Sequence, residues 1–101
     1  MNLNKISPIE LDLLIQNKSD FLLIDLRENY EIEIDGKIDY STHIPLGDLV
    51  DRLNELPNDR PVIFHCNSGS RSENILNFLI MNGLYKDNYF NLEGGFKAIS
   101  K

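Results

Sequence analysis

Residues 62–65 read "VIFH" and run without a spacer into "CNSGSRSE". Three large apolar residues in a row suit a short strand buried on both faces, and the polar, glycine-bearing stretch after them suits a loop opening a helix. Ser70 and Glu73 have capping-box spacing, and Ile75, Leu76, Leu79 and Ile80 follow as an apolar helical face. Strand, loop and helix in that order confine the chain to an α/β arrangement, because such a strand must be covered on both sides. Two more stretches have the same character, "FLLID" at 21–25 and "NYFNL" at 88–92.

The intervening segments supply helices. "SPIE" at 7–10 is a capping box with Pro8 at the first helical position, followed by Leu11, Leu14 and Ile15. "RENYEIEI" (27–34) is ambiguous: it begins like a helix, while Ile32 and Ile34 alternate like a strand. Asp35–Gly36 marks a turn and a strand through Ile44 is possible. Leu46, Leu49, Val50 and Leu53 then have helical spacing, which "PNDRP" breaks. Gly83 suits a left-handed cap for the helix that ends at "NG". No repeat or low-complexity linker divides the chain, and 101 residues match the size of one domain, so one domain over 1–101 is expected. In an α/β sheet of this kind, ligands bind at the carboxyl ends of the strands, where Cys66 stands.

Composition narrows the function. Ten basic residues against 16 acidic ones give a net charge of −6, with no basic stripe of the kind that marks a nucleic-acid partner. No apolar run approaches the roughly 18 residues of a membrane span, and the N-terminus does not read as a secretory leader. One cysteine excludes an internal disulfide, and a reducing cytoplasm is the expected compartment. One cysteine and two dispersed histidines argue against a metal site, and no cofactor is expected.

A lone cysteine after an apolar strand is ordinarily a small buried hydrophobe. The residues after Cys66 argue otherwise. Free amides at a helix N-terminus, together with roughly half a positive charge from the helix dipole, favour an anion there. Gly69 lets the backbone curl so that successive amides face inward, and Arg71 adds a cation. The same field lowers a thiol from its ordinary pKa of about 8.5 and makes it nucleophilic. Cys66 is therefore the candidate nucleophile, with Asn67, Ser68, Gly69, Ser70 and Arg71 as the candidate binding loop. His65 is adjacent to Cys66 on a strand and so points to the opposite face, which makes it a poor base for the thiol. His43 reads as structural.

Taken together, "FLLIDLRENYE", "HIPLGDL", "VIFHCNSGSRS" and "NLEGGF" resemble, in order and spacing, the landmarks of a rhodanese-like domain over about residues 6 to 99. The most specific piece is the C-x-x-G-x-R loop from Cys66 to Arg71. Protein tyrosine phosphatases have a similar signature with five residues between cysteine and arginine; here there are four. The shorter ring matches the six-residue loop of sulfurtransferases, whereas the related cell-cycle phosphatases use seven.

The resemblance implies a three-layer α/β/α fold around a central, mainly parallel five-stranded sheet. It implies a Cys66 persulfide, formed from a donor such as thiosulfate and discharged to cyanide or a thiol. The loop amides of residues 67 to 71 and the Arg71 guanidinium would hold the persulfide and the departing anion. It places Asp25 and Arg27 beside the loop, here read as a structural ion pair, and makes Gly94 and Gly95 the turn into a terminal helix. The stretch "GKIDYS" (36–41) departs from the family's usual "GHIPGA", with Lys37 where the family has histidine.

An enzyme of this kind would work on a small sulfur donor and a thiol acceptor. A sulfur carrier or binding module that loads and unloads on a partner protein is the main alternative. A phosphatase or arsenate reductase is disfavoured by the loop length, and a catalytically silent module by the retained cysteine. Oligomeric state is not readable from the chain.

Overall fold

The computed structural model describes residues 2–99. Five strands, β1 (Lys5–Ile6), β2 (Leu22–Asp25), β3 (Ser41–His43), β4 (Val62–His65) and β5 (Tyr89–Leu92), form one sheet in the order β1-β5-β4-β2-β3. Every neighbouring pair runs parallel. The helices are α1 (Pro8–Gln16), α2 (Asn29–Asp35), α3 (Ser70–Met81) and α4 (Gly95–Ile99).

Alternation along the strands builds two cores. Leu23, Ile63 and Leu92 face one side, where they meet Leu11 of α1 and Phe96 of α4. Ile24, Val62, Phe64 and Tyr89 face the other, against Leu76 and Leu79 of α3. The sheet is thus covered on both faces, which gives the three-layer α/β/α arrangement and explains why its strands are continuously apolar.

Several local expectations hold. Ser7 Oγ accepts from the Glu10 amide at 3.1 Å and the Glu10 carboxylate accepts from the Ser7 amide at 3.0 Å. Gly83 has φ +70° just past α3, and the Leu84 amide turns back to the Leu79 carbonyl at 2.8 Å, closing the helix.

Others change. The segment 29–35 is helical, and Ile34 is 77% exposed rather than alternating into a sheet. Glu31 reaches back to the Glu28 amide at 3.0 Å, which caps this short helix where β-type alternation alone would have made a strand. The stretch from Leu46 consists of two 3-10 turns, Leu46–Asp48 and Val50–Glu55. The tighter i, i+3 winding buries Leu49 and Leu56 and rotates Val50 outward to 41% exposure. β1 was not anticipated, since two residues carry no readable periodicity; its pairing with β5 makes it a strand. No described helix is long and apolar enough to cross a membrane.

Leu76 is fully buried and Met81, on the same helix, is 85% exposed. Leu76→Ala should therefore destabilise the fold by about 2–5 kcal/mol, and Met81→Ala by no more than about 0.5 kcal/mol, in chemical denaturation.

Candidate active site

β4 ends at the carboxyl edge of the sheet and delivers Cys66 into the turn that starts α3. The residue alternates with Phe64 and falls on the α3 side, where the thiol is fully buried. The loop closes around its sulfur. The Gly69 N–H donates to Sγ at 3.2 Å and the Ser72 N–H at 3.5 Å, and the Ser72 hydroxyl lies 3.6 Å away.

That curl requires Gly69, which has φ +99° and serves as the N-cap of α3. A Cβ there would lie 3.3 Å from the Gly94 nitrogen. The predicted Ser70–Glu73 capping box does not form. Ser70 is already the first helical residue, and the Glu73 amide donates to the Gly69 carbonyl at 3.0 Å. The helix begins one residue earlier than capping chemistry alone dictates because the left-handed turn at Gly69 aims the amide at sulfur.

The loop is pinned from beneath by α4. The Phe96 amide donates to the Cys66 carbonyl at 2.8 Å, and the Lys97 amide to the Asn67 carbonyl at 3.0 Å. Gly94 and Gly95 both have positive φ, and a Cβ on Gly95 would stand 2.6 Å from the Cys66 carbonyl oxygen. The glycine pair is thus a condition for this close approach as well as for the turn.

Under the loop, on the opposite face from the thiol, lies a buried polar group. Arg27 Nε and Nη2 donate to the two oxygens of Asp25 at 3.0 and 2.9 Å, and Nη2 also reaches the Gly36 carbonyl at 2.8 Å. The guanidinium carbon sits 3.9 Å above the centre of the Phe96 ring, and His65 stacks on the same ring. His65 Nδ1 is 3.0 Å from the Cys66 carbonyl, which only accepts, so Nδ1 carries a proton. Burial pushes the imidazole below its ordinary pKa, the hydrogen bond to Cys66 and the nearby Asp25 only partly opposing it. His65 therefore supports the loop's backbone and does not face the sulfur, as strand alternation requires. His43 Nε2 likewise donates to the Arg27 carbonyl, at 2.6 Å, and is structural.

Electrostatics at the thiol follow from the contacts. Burial pushes Cys66 upward; the Ser72 amide and hydroxyl, then the Gly69 and Ser68 amides, outweigh it and leave the thiol below its ordinary value. Hydrogen bonds to the charged form are the cause.

Arg71 pairs with an acid from another element. Its Nη1 and Nη2 donate to the two carboxylate oxygens of Glu31 on α2, both at 2.7 Å. That contact holds the Glu31 carboxyl below its usual range and the Arg71 guanidinium above its own.

The remaining loop residues flank two openings. Asn67 lines a cavity of about 260 Å³ with Asp35, Phe96 and Lys97. Exposed Ser68 and Ser70 line another of about 190 Å³ with Lys5, Glu73, Asn91 and Glu93. Among the described residues, no group of His, Cys, Asp and Glu could hold a metal ion.

Sequence reasoning missed three residues. Ser72 directly follows the motif, and its hydroxyl in the first turn of α3 was a usable signal. Asn91, with its side-chain amide 2.5 Å from Ser72 Oγ, is on β5 and gave none. Glu31 is 40 positions from Arg71, and nothing local announced the pairing.

The family model for the rhodanese-like domain matches residues 7–101. The chain belongs to the rhodanese-like domain family. This rhodanese-like domain is 34% identical over 98 residues to the Bacillus subtilis protein YtwF, covering 97% of this chain and 91% of that one. A sulfurtransferase from Allochromatium vinosum is 33% identical over 95 residues, with 94% and 86% covered. The crystal structure of a rhodanese-related protein from Thermoplasma volcanium superposes with a TM-score of 0.76 at 27% identity, covering 95% of this chain and 89% of that one. The three-layer fold and its parallel sheet are those of the family.

Ser72→Ala, which removes the hydroxyl and keeps the amide, should move the pH profile of Cys66 alkylation upward and slow alkylation at neutral pH. Gly95→Ala should destabilise the domain by about 1–3 kcal/mol in denaturant, since the added carbon overlaps the Cys66 carbonyl.

Proposed function

We propose that the chain is a sulfurtransferase that carries a sulfane sulfur as a persulfide on Cys66. The observation that supports this best is the convergence of loop and α3 donors on one buried sulfur whose pKa is depressed, within a six-residue loop. In the forward step the Cys66 thiolate attacks the outer sulfur of a donor such as thiosulfate. The donor's S–S bond breaks and sulfite departs with the bonding pair. An acceptor thiolate, or cyanide in an assay, then attacks the outer sulfur of the persulfide and restores the Cys66 thiolate. This is thiol–disulfide exchange in form, with rate set by thiolate fraction and leaving group.

Each part of the site has a task in this reading. The loop amides of residues 67 to 71, with Asn67, Ser68, Gly69 and Ser70 as their carriers, shelter the terminal sulfur, and Arg71 braces the rim. Ser72 holds the attacking sulfur as an anion. The 101 residues act as one domain in a reducing cytoplasm. Cys66 is the single cysteine of the chain, so no second thiol within it can discharge the persulfide. The acceptor is external. Where that acceptor is a protein, the same chemistry makes the chain a sulfur carrier.

Intact-protein mass after brief incubation with thiosulfate or cysteine persulfide tests the proposal. The wild type should gain one sulfur atom, cyanide should remove it as thiocyanate, and Cys66→Ser should gain nothing. Full thiocyanate production by Cys66→Ser would sink the assignment.

A further inference from the structure

Asn91 is a polar side chain within a buried strand. It is 2% exposed on β5, between Phe90 and Leu92, and stands in register with Phe64 of β4. Asparagine suits such a position poorly, because its amide must be desolvated and strands favour branched and aromatic side chains. The side chain is committed to α3 instead: its amide lies 2.5 Å from Ser72 Oγ, and Ser72 is itself fully buried.

The Ser72 hydroxyl has one proton and three neighbours. The Gly69 carbonyl, 3.1 Å away, can only accept, and it already accepts from the Glu73 amide. Cys66 Sγ, 3.6 Å away, is also an acceptor once the thiol is ionised. The Asn91 amide is the nearest, and beside a thiolate it alone of the three has a proton to give. When its N–H donates to Oγ, the hydroxyl proton is left for an acceptor, and the thiolate is the charged one.

We propose that Asn91 is a positioning residue for sulfur transfer, holding the Ser72 hydroxyl by its oxygen so that the single hydroxyl proton turns to the Cys66 sulfur when that sulfur is an anion. The inference rests on the sulfurtransferase reading above. In that reading the thiolate attacks when sulfur is loaded and leaves when the persulfide is discharged, so one aimed hydroxyl serves both half-reactions. Charged groups surround the contact on several elements. Lys5 of β1, Glu73 of α3 and Glu93 line the opening that Asn91 borders, and Arg71 pairs with Glu31 of α2. Asp25, Arg27 and His65 lie on the other face of the sheet. An uncharged replacement of Asn91 leaves all of these in place.

The test is a double-mutant cycle on the pH profile of Cys66 alkylation, in wild type, Asn91→Leu, Ser72→Ala and the double variant, with folding checked by denaturation. Asn91→Leu should shift the profile upward, and should add no shift once Ser72→Ala has removed the hydroxyl. Asn91→Ala serves the same cycle if leucine disrupts the fold. Persulfide discharge to cyanide, followed at a pH above every profile, should slow about two- to tenfold in Asn91→Leu, the scale of one neutral hydrogen bond, because the departing thiolate is held less well.

An unchanged or lowered profile in Asn91→Leu overturns the proposal. So does a shift of equal size with and without the Ser72 hydroxyl, which assigns Asn91 to packing alone. Alkylation needs no sulfur donor. A wild type that no donor loads therefore sinks the sulfurtransferase reading, while the profile still decides how Asn91 acts on the thiol.

Discussion

The arrangement depends on one backbone event, the left-handed turn at Gly69 made against a floor of α4 amides. Without the turn, the Gly69 and Ser72 amides could not both face the Cys66 sulfur. Without the floor, the Asn67 carbonyl would lose the Lys97 amide, and the Cys66 carbonyl would keep only His65. The two glycine sites are coupled in space: a side chain at Gly69 would meet the Gly94 backbone, and one at Gly95 would meet the Cys66 carbonyl. Loop and terminal helix therefore approach more closely than side chains permit, and this proximity aims the donors at the thiol. A buried thiol without them would have its pKa raised by desolvation. Here hydrogen bonding reverses the sign.

Beneath the loop, Asp25, Arg27, His65 and Phe96 form a buried stack. Placing two charges away from water costs several kcal/mol each unless geometry and hydrogen bonds compensate. Asp25 shows the balance: burial raises its pKa, and the hydrogen bonds from Arg27 more than offset it. Arg27 also donates to the Gly36 carbonyl and lies over the Phe96 ring face, while its buried Nη1 has no hydrogen-bond partner among the described residues. The stack joins the end of β2, the turn after α2 and the terminal helix into one support for the Cys66 carbonyl. The sulfur side is governed by amides and a hydroxyl, the underside by ions and rings, and strand alternation keeps the two apart.

Much of this was legible in the chain. The apolar strands β2, β4 and β5, the capped start of α1, the Schellman-type end of α3 and the placement of Cys66 all follow from period, caps and glycine. His65 could be excluded as a base from alternation alone. The misreadings share a cause. The Ser70–Glu73 spacing satisfies a local rule that lost to the tertiary demand on Gly69. The Leu46–Leu53 spacing suits an α-helix, but packing of Leu49 and Leu56 selected the tighter winding. The partner of Arg71, Glu31, lies 40 positions away and left no local signal.

By itself, then, the sequence determined the alternating order of elements, the strand-to-helix position of the nucleophile, and the length of the ring around it. These depend on residues close together along the chain, where periodicity and backbone freedom act directly. Only the tertiary structure decided the electrical character of that ring: which donors meet the sulfur, which carboxylate pairs with Arg71, and what supports the loop from below. Those outcomes arise from groups that the parallel crossovers bring together across tens of residues, and electrostatic energy depends on distance in space rather than separation along the chain.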